Sequence, residues 1–164
     1  MMYNRNILKK LKICLVCHGN ICRSPMAEFV MKDKLRERGL DKFVEVCSRA
    51  TSYEETGNPV YPHAVAKMKS KGVTIEPHFA TTLERCDYGK YDMFVGMDLN
   101  NVQRMRYTFS NDPERKVSKL LDYTDNPRDI ADPWYNDDFD TCYDDIVEGV
   151  DALIGYIVRE KLNC

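Results

Sequence analysis

Short apolar runs alternate along this chain with stretches of helical spacing. Runs of strand length occupy 12–17, 43–48, 91–97 and 116–121. The first contains Ile13-Cys14-Leu15-Val16, a near-continuous apolar run of the kind expected for a strand covered on both faces. Between them, Ala27, Val30, Met31 and Leu35 recur at helical spacing over 24–38, with Gly39 placed to end the helix and basic residues in its last turns. A second helix is predicted over 62–71, from Pro62 to a stop at Gly72, with shorter ones over 81–88 and 98–107. The strongest pattern runs over 138–160. There Phe139, Tyr143, Ile146, Val147, Val150, Leu153, Ile154, Ile157 and Val158 form one apolar stripe. Strands alternating with helices argue for an α/β fold with a mainly parallel sheet. No repeat, linker or low-complexity tract interrupts the pattern.

Length and composition add bounds. The 164 residues fit one domain with a real core, read as 11–164 behind a short polar extension over 1–10. A net charge of −2 gives no reason to expect nucleic acid or an anionic membrane as partner. No run reaches the roughly 20 apolar residues of a membrane span. The apolar stretch behind the N-terminal basic residues is too short for a signal peptide, so a cytoplasmic location is expected. Seven cysteines in no framework spacing read as free thiols of a reducing compartment. Cys14, Cys47 and Cys142 are expected in the core, and Cys86 and Cys164 as incidental thiols. No metal is expected, because Cys17 and Cys22 lack a second ligand pair at a suitable spacing.

Two segments carry candidate chemistry. Cys17-His18-Gly19-Asn20-Ile21-Cys22-Arg23-Ser24 lies between the first strand and the first helix. Backbone N–H groups of such a loop and the helix N-terminus make an anion nest. That setting favours a thiolate at Cys17, and Arg23 can grip two phosphate oxygens with its planar fork. Gly19 and Asn20 suit the sharp backbone, since both tolerate left-handed angles. The loop is not the nucleotide P-loop, whose glycines and Lys-Ser/Thr ending are missing. The second segment, Asp132-Pro133-Trp134-Tyr135, falls in an irregular stretch over 122–137. Asp132 is held extended by the following proline. An acid beside two aromatics suits an aryl phosphate, whose ring they can flank and whose leaving oxygen the acid can protonate. Asp132 sits among ten acidic residues and one basic residue, Arg128, over 122–148. The other acids read as a solvated face that could favour basic substrates at low salt.

With Cys17 to Ser24 followed by Asp132-Pro133, the chain resembles the low-molecular-weight protein tyrosine phosphatase family. The likeness extends through Ser48, Thr56-Gly57-Asn58-Pro59, His78 and Met97-Asp98-x-x-Asn101, covering roughly residues 11–160. The resemblance implies a three-layer single domain with a four-stranded parallel sheet, order 2-1-3-4. It implies hydrolysis of protein phosphotyrosine and small aryl phosphates, with no cofactor, by a monomer or weak dimer. By the same likeness Cys17 is the nucleophile, Arg23 the phosphate clamp and Asp132 the general acid. Residues His18 to Cys22 with Ser24 form the loop around phosphate or another oxyanion. Asn20, Ser24, Ser48 and His78 form the supporting network, with Ser24 donating to the Cys17 thiolate. Tyr135 matches one wall of the substrate slot, and Trp134 stands where the family usually has a second tyrosine. Cys22 matches a family cysteine, as a buried filler or a reversible disulfide partner of Cys17. Around 53–55 the family places an aromatic specificity residue. Here the chain reads Tyr53-Glu54-Glu55, with the tyrosine one position early.

Two other functions fit less well. An arsenate reductase on the same scaffold needs two further cysteines after the middle helix, where this chain has Cys86 alone. A non-catalytic phosphotyrosine-binding module would lack the nucleophile or the acid, and both are present. Because step one needs a protonated acid and an ionised thiol, an acidic optimum for turnover is expected.

Overall fold

The computed structural model describes residues 9–162, so most of the 1–10 extension and Cys164 lie outside the described residues. Four parallel strands form one sheet: β1 (Leu11–Cys17), β2 (Val44–Ala50), β3 (Met93–Gly96) and β4 (Val117–Lys119), in the order β2-β1-β3-β4. The helices are α1 (Arg23–Glu37), α2 (Pro62–Ser70), α3 (Leu99–Thr108), the short α4 (Pro133–Asn136) and α5 (Phe139–Glu160).

The period of two along β1 builds the layers. Ile13, Leu15 and Cys17 face a core filled by α1, α2 and α5. Cys14 and Val16 face a smaller core with Phe94, Val102, Met105 and Phe109. Both faces are covered, which is why β1 has no polar position between Ile13 and Cys17. The chain leaves β1 for β2 on one side and then crosses to β3 on the other. That reversal puts the C-terminal end of β1 at a switch point, where open α/β sheets bind ligands.

Two predicted elements change. The 81–88 helix shrinks to a 3-10 turn over Arg85–Gly89, because residues before it are drawn into sheet-like pairing. Ala50 N donates to Thr81 O and Leu83 N to Ala50 O, forming a parallel bridge between Ala50 and Thr82. The 116–121 strand ends at Lys119 and passes into a 3-10 turn over Leu120–Tyr123, where both leucines turn into the main core. No helix among the described residues is long and apolar enough to cross a membrane.

Candidate active site

Cys17 ends β1 and Arg23 begins α1, so the five residues between them must turn sharply. Asn20 alone does this in the left-handed region, at φ 60°. Gly19 does not; its lack of a side chain instead leaves room for Glu55, whose Cγ would lie 3.3 Å from an added Cβ. The loop carbonyls are turned outward. Those of Cys17, His18 and Ile21 accept from the backbone N–H groups of Thr51, Ser52 and Tyr61. The Asn20 carbonyl lies 3.0 Å from His78 Nε2, which must therefore carry the proton. Carbonyls engaged on the outside are what an anion nest requires, since its N–H groups must be the ones to face the anion. Asn20 N already donates to Cys17 Sγ at 3.2 Å.

A buried polar relay holds the nucleophile. Asn20 Nδ2 donates to Ser24 Oγ (2.8 Å) and to Ser48 Oγ (2.9 Å). Ser24 Oγ thus accepts from Asn20 and has its proton available for Cys17 Sγ, 3.0 Å away. Ser48 Oγ donates to Glu28 Oε1 at 2.6 Å. Glu28 in turn binds Lys32 at 2.7 Å and has His78 Nδ1 within 4.0 Å. Asn20, Ser24 and Ser48 are fully buried, so each unmade bond here would cost about 1–3 kcal/mol. All four residues expected in the network meet in it, and Glu28 joins them without having been singled out by the sequence.

Arg23 is buried, and its guanidinium is held by Asp98, the Ile130 carbonyl and Asp132. Nη1 donates to Asp98 Oδ2 at 2.6 Å and to the Ile130 carbonyl at 2.9 Å. Nη2 reaches Asp132 Oδ2 at 3.3 Å. Among the described residues these contacts leave the Nε–H and the second Nη2–H as a side-on pair. Burial works against the guanidinium charge, but Cys17, Asp132 and Asp98 outweigh it and hold the group more firmly protonated than usual. Asp132 is the N-cap of α4: its Oδ1 accepts from Trp134 N at 3.0 Å, with Pro133 in the first helical position. That cap fixes the direction in which the carboxyl group points.

These parts line one cavity of about 150 Å³: Cys17, His18, Gly19, Ile21, Cys22 and Arg23 from the loop, Asp132, Trp134 and Tyr135 from the α4 segment, and Glu54 and Glu55 from the loop after β2. Trp134 rests on Tyr61, ring centroids 5.0 Å apart. Tyr135 is largely exposed. Tyr53 is not part of the lining; its hydroxyl donates to Glu84 at 2.9 Å. Cys22 shares the cavity with Cys17 but is buried. Burial, with Cys17, Asp132 and Cys142 nearby, pushes its thiol well up, against a weaker pull from Arg23. Burial likewise pushes the Cys142 thiol up, to about 12. Cys14 is also buried, whereas Cys47 is only half-buried. Among the described residues no group of three or more His, Cys, Asp or Glu could hold a metal ion.

Comparison with known proteins points the same way as the geometry. A family model described as "Low molecular weight phosphotyrosine protein phosphatase" matches residues 12–163. The chain is 31% identical over 149 residues to the low molecular weight protein-tyrosine-phosphatase PtpA of Staphylococcus aureus (strain bovine RF122 / ET3-1), covering 90% of this chain and 94% of that relative. Among solved structures, YfkJ from Bacillus subtilis superposes with a TM-score of 0.90 at 27% identity, over 93% of this chain and 98% of that one. SP-PTP, a low molecular weight protein tyrosine phosphatase from Streptococcus pyogenes, gives 0.78 at 30% identity, over 92% and 93%.

Proposed function

Because this chain belongs to the low-molecular-weight phosphotyrosine protein phosphatase family, we propose that it hydrolyses phosphotyrosine and small aryl phosphate monoesters through a cysteinyl-phosphate on Cys17. The observation that carries the reading is the convergence of the Cys17 sulfur, the Asn20 N–H aimed at it, the Arg23 fork and the Asp132 carboxyl on one cavity with an aromatic wall.

In the first step the Cys17 thiolate attacks phosphorus. The S–P bond forms, the aryl O–P bond breaks, and Asp132 gives its proton to the departing oxygen. In the second step water attacks phosphorus, Asp132 takes its proton, and the S–P bond breaks to return the thiolate. The Ser24 hydroxyl and Asn20 N–H, both aimed at Cys17 Sγ, stabilise negative charge on sulfur. The loop N–H groups and the free side of Arg23 hold the equatorial oxygens as charge develops on them. Neither step calls for a metal. The residues 11–164 act as one catalytic domain on phosphotyrosine-containing proteins in the cytoplasm, as a monomer or weak dimer. Cys22, kept as a neutral thiol beside the nucleophile, serves to fill the floor of the cavity; it also remains placed to close a disulfide on an oxidised Cys17.

Turnover of phenyl phosphate and of a phosphotyrosine peptide tests the assignment. Cys17→Ser should abolish both. Asp132→Ala should lower kcat by about 10²–10³-fold, the scale of a lost general acid. Activity retained by Cys17→Ser, or a drop under about threefold for Asp132→Ala, would overturn the roles.

A further inference from the structure

The cavity that would take a phosphate dianion carries two carboxylates it does not need for that task. Glu54 and Glu55 both line it, beside Asp132, whereas Arg23 is the one guanidinium there. Their placement is built. The Glu55 stem packs against Gly19 of the anion loop, and its Oε2 accepts from Asn58 Nδ2 at 2.6 Å. Glu54 Oε2 lies 3.2 Å from His18 Nε2, within the same lining. Tyr53, the aromatic nearest in sequence, is tied to Glu84 outside. An apolar side chain at 54 or 55 would serve a bare aryl phosphate better, since like charges repel the substrate anion. A carboxylate-bearing wall around an anion nest suits a substrate that is negative at its tip and positive alongside it.

We propose that Glu54 and Glu55 are specificity-determining residues that select a phosphotyrosine with a lysine or arginine next to it in the peptide. The selection rests on the phosphotyrosine hydrolase reading. The phosphoryl group occupies the nest, the ring lies along Trp134 and Tyr135, and the neighbouring cation meets the two carboxylates. Of the acidic residues over 122–148, only Asp132 belongs to this lining. Others have partners elsewhere: Asp145 and Glu148 bind Arg128, and Asp122 and Asp129 bind Lys119. The carboxylates that meet the flanking residue therefore come from the loop after β2.

The test compares the full chain with its Glu54→Gln/Glu55→Gln variant on two phosphotyrosine peptides that differ only in flanking Lys or Glu, and on phenyl phosphate. Exposed ion pairs are worth up to about fivefold each, so the wild type should prefer the basic peptide about tenfold at low salt, through KM. The preference should shrink as salt is added and collapse in the variant. Phenyl phosphate, an anion with no cation beside it, should be turned over more efficiently by the variant. Equal kcat/KM on the two peptides in the wild type would overturn the proposal while leaving the hydrolase reading intact. So would a preference that survives in the variant, or a parallel loss on all three substrates, which would assign a structural role. No turnover of any of the three by the wild type would overturn the hydrolase reading and this proposal with it.

Discussion

The direction of the Arg23 guanidinium is set by Asp98, and each oxygen of that carboxylate has its own task. Oδ2 accepts from Arg23 Nη1 at 2.6 Å, while Oδ1 caps α3 through Asn101 N at 2.8 Å. An asparagine can offer its oxygen to one of these donors but not to both. Asp98→Asn should therefore lower kcat/KM on phenyl phosphate about tenfold to a hundredfold, the range of a lost charge-assisted hydrogen bond. Inhibition by inorganic phosphate should weaken in parallel. A fall in Tm with unchanged phosphate inhibition would confine Asp98 to capping. The sequence placed Asp98 in a motif without giving it this role, and it passed over Glu28 altogether. The reason is physical. Glu28 sits between Ala27 and Phe29 in a helix whose first turns are buried on all sides, from Arg23 to Met31. A polar residue in a helical pattern reads as solvent-facing, and only the partners Ser48 and Lys32 from the folded chain reveal it as buried. That Cys17, Arg23 and Asp132 meet in one cavity is legible because their neighbours in sequence, a strand end, a helix start and a proline, already fix their surroundings.

At the scale of elements, α5 crosses the 3-10 turn over Leu120–Tyr123 at Gly149. An added Cβ there would lie 2.5 Å from Leu120 Cγ and 3.2 Å from Leu121 Cδ2, both fully buried. Alanine would gain about 1 kcal/mol of helix propensity, but overpacking a filled core costs about 1–3 kcal/mol. Gly149→Ala should thus lower stability by up to about 2 kcal/mol in urea unfolding; a raised midpoint would show that the two elements separate freely. The same crossing explains why the end of the predicted fourth strand was misread. An apolar run cannot distinguish a strand from a turn whose leucines pack under a helix. The long periodic helix and the near-continuous β1 run were read correctly because packing there reinforces the local pattern.

For the molecule as a whole, β1 joins the two cores, and the smaller one is closed at its rim by Asp112. This residue follows Ser110 and Asn111 in a run of three left-handed conformations. Its Oδ1 accepts from Tyr88 O–H (2.6 Å) and Lys116 N (2.8 Å), and its Oδ2 from Val117 N (3.0 Å). Burial opposes ionisation, but these hydrogen bonds prevail and hold the carboxyl below the usual aspartate range. A folded-state value below the unfolded one stabilises above the unfolded value, and that stability is lost as pH falls through the folded value. Asparagine tolerates the left-handed backbone, but its amide nitrogen would face a donor. Asp112→Asn should cost about 1–3 kcal/mol near neutral pH, and the gap to wild type in urea midpoint should narrow on acidification below the ordinary aspartate range. A gap independent of pH would sink the linkage. Farther along, Ile130 is fastened on both sides: its N–H to the Met97 carbonyl and its own carbonyl to Arg23, each at 2.9 Å. Asp132 is two residues away. The carboxyl group proposed as the acid is thus carried on a segment fastened to the scaffold at Ile130. In kinetic terms the proposed mechanism asks no lid to swing shut before chemistry, and an inhibitor would meet the same mouth as the substrate.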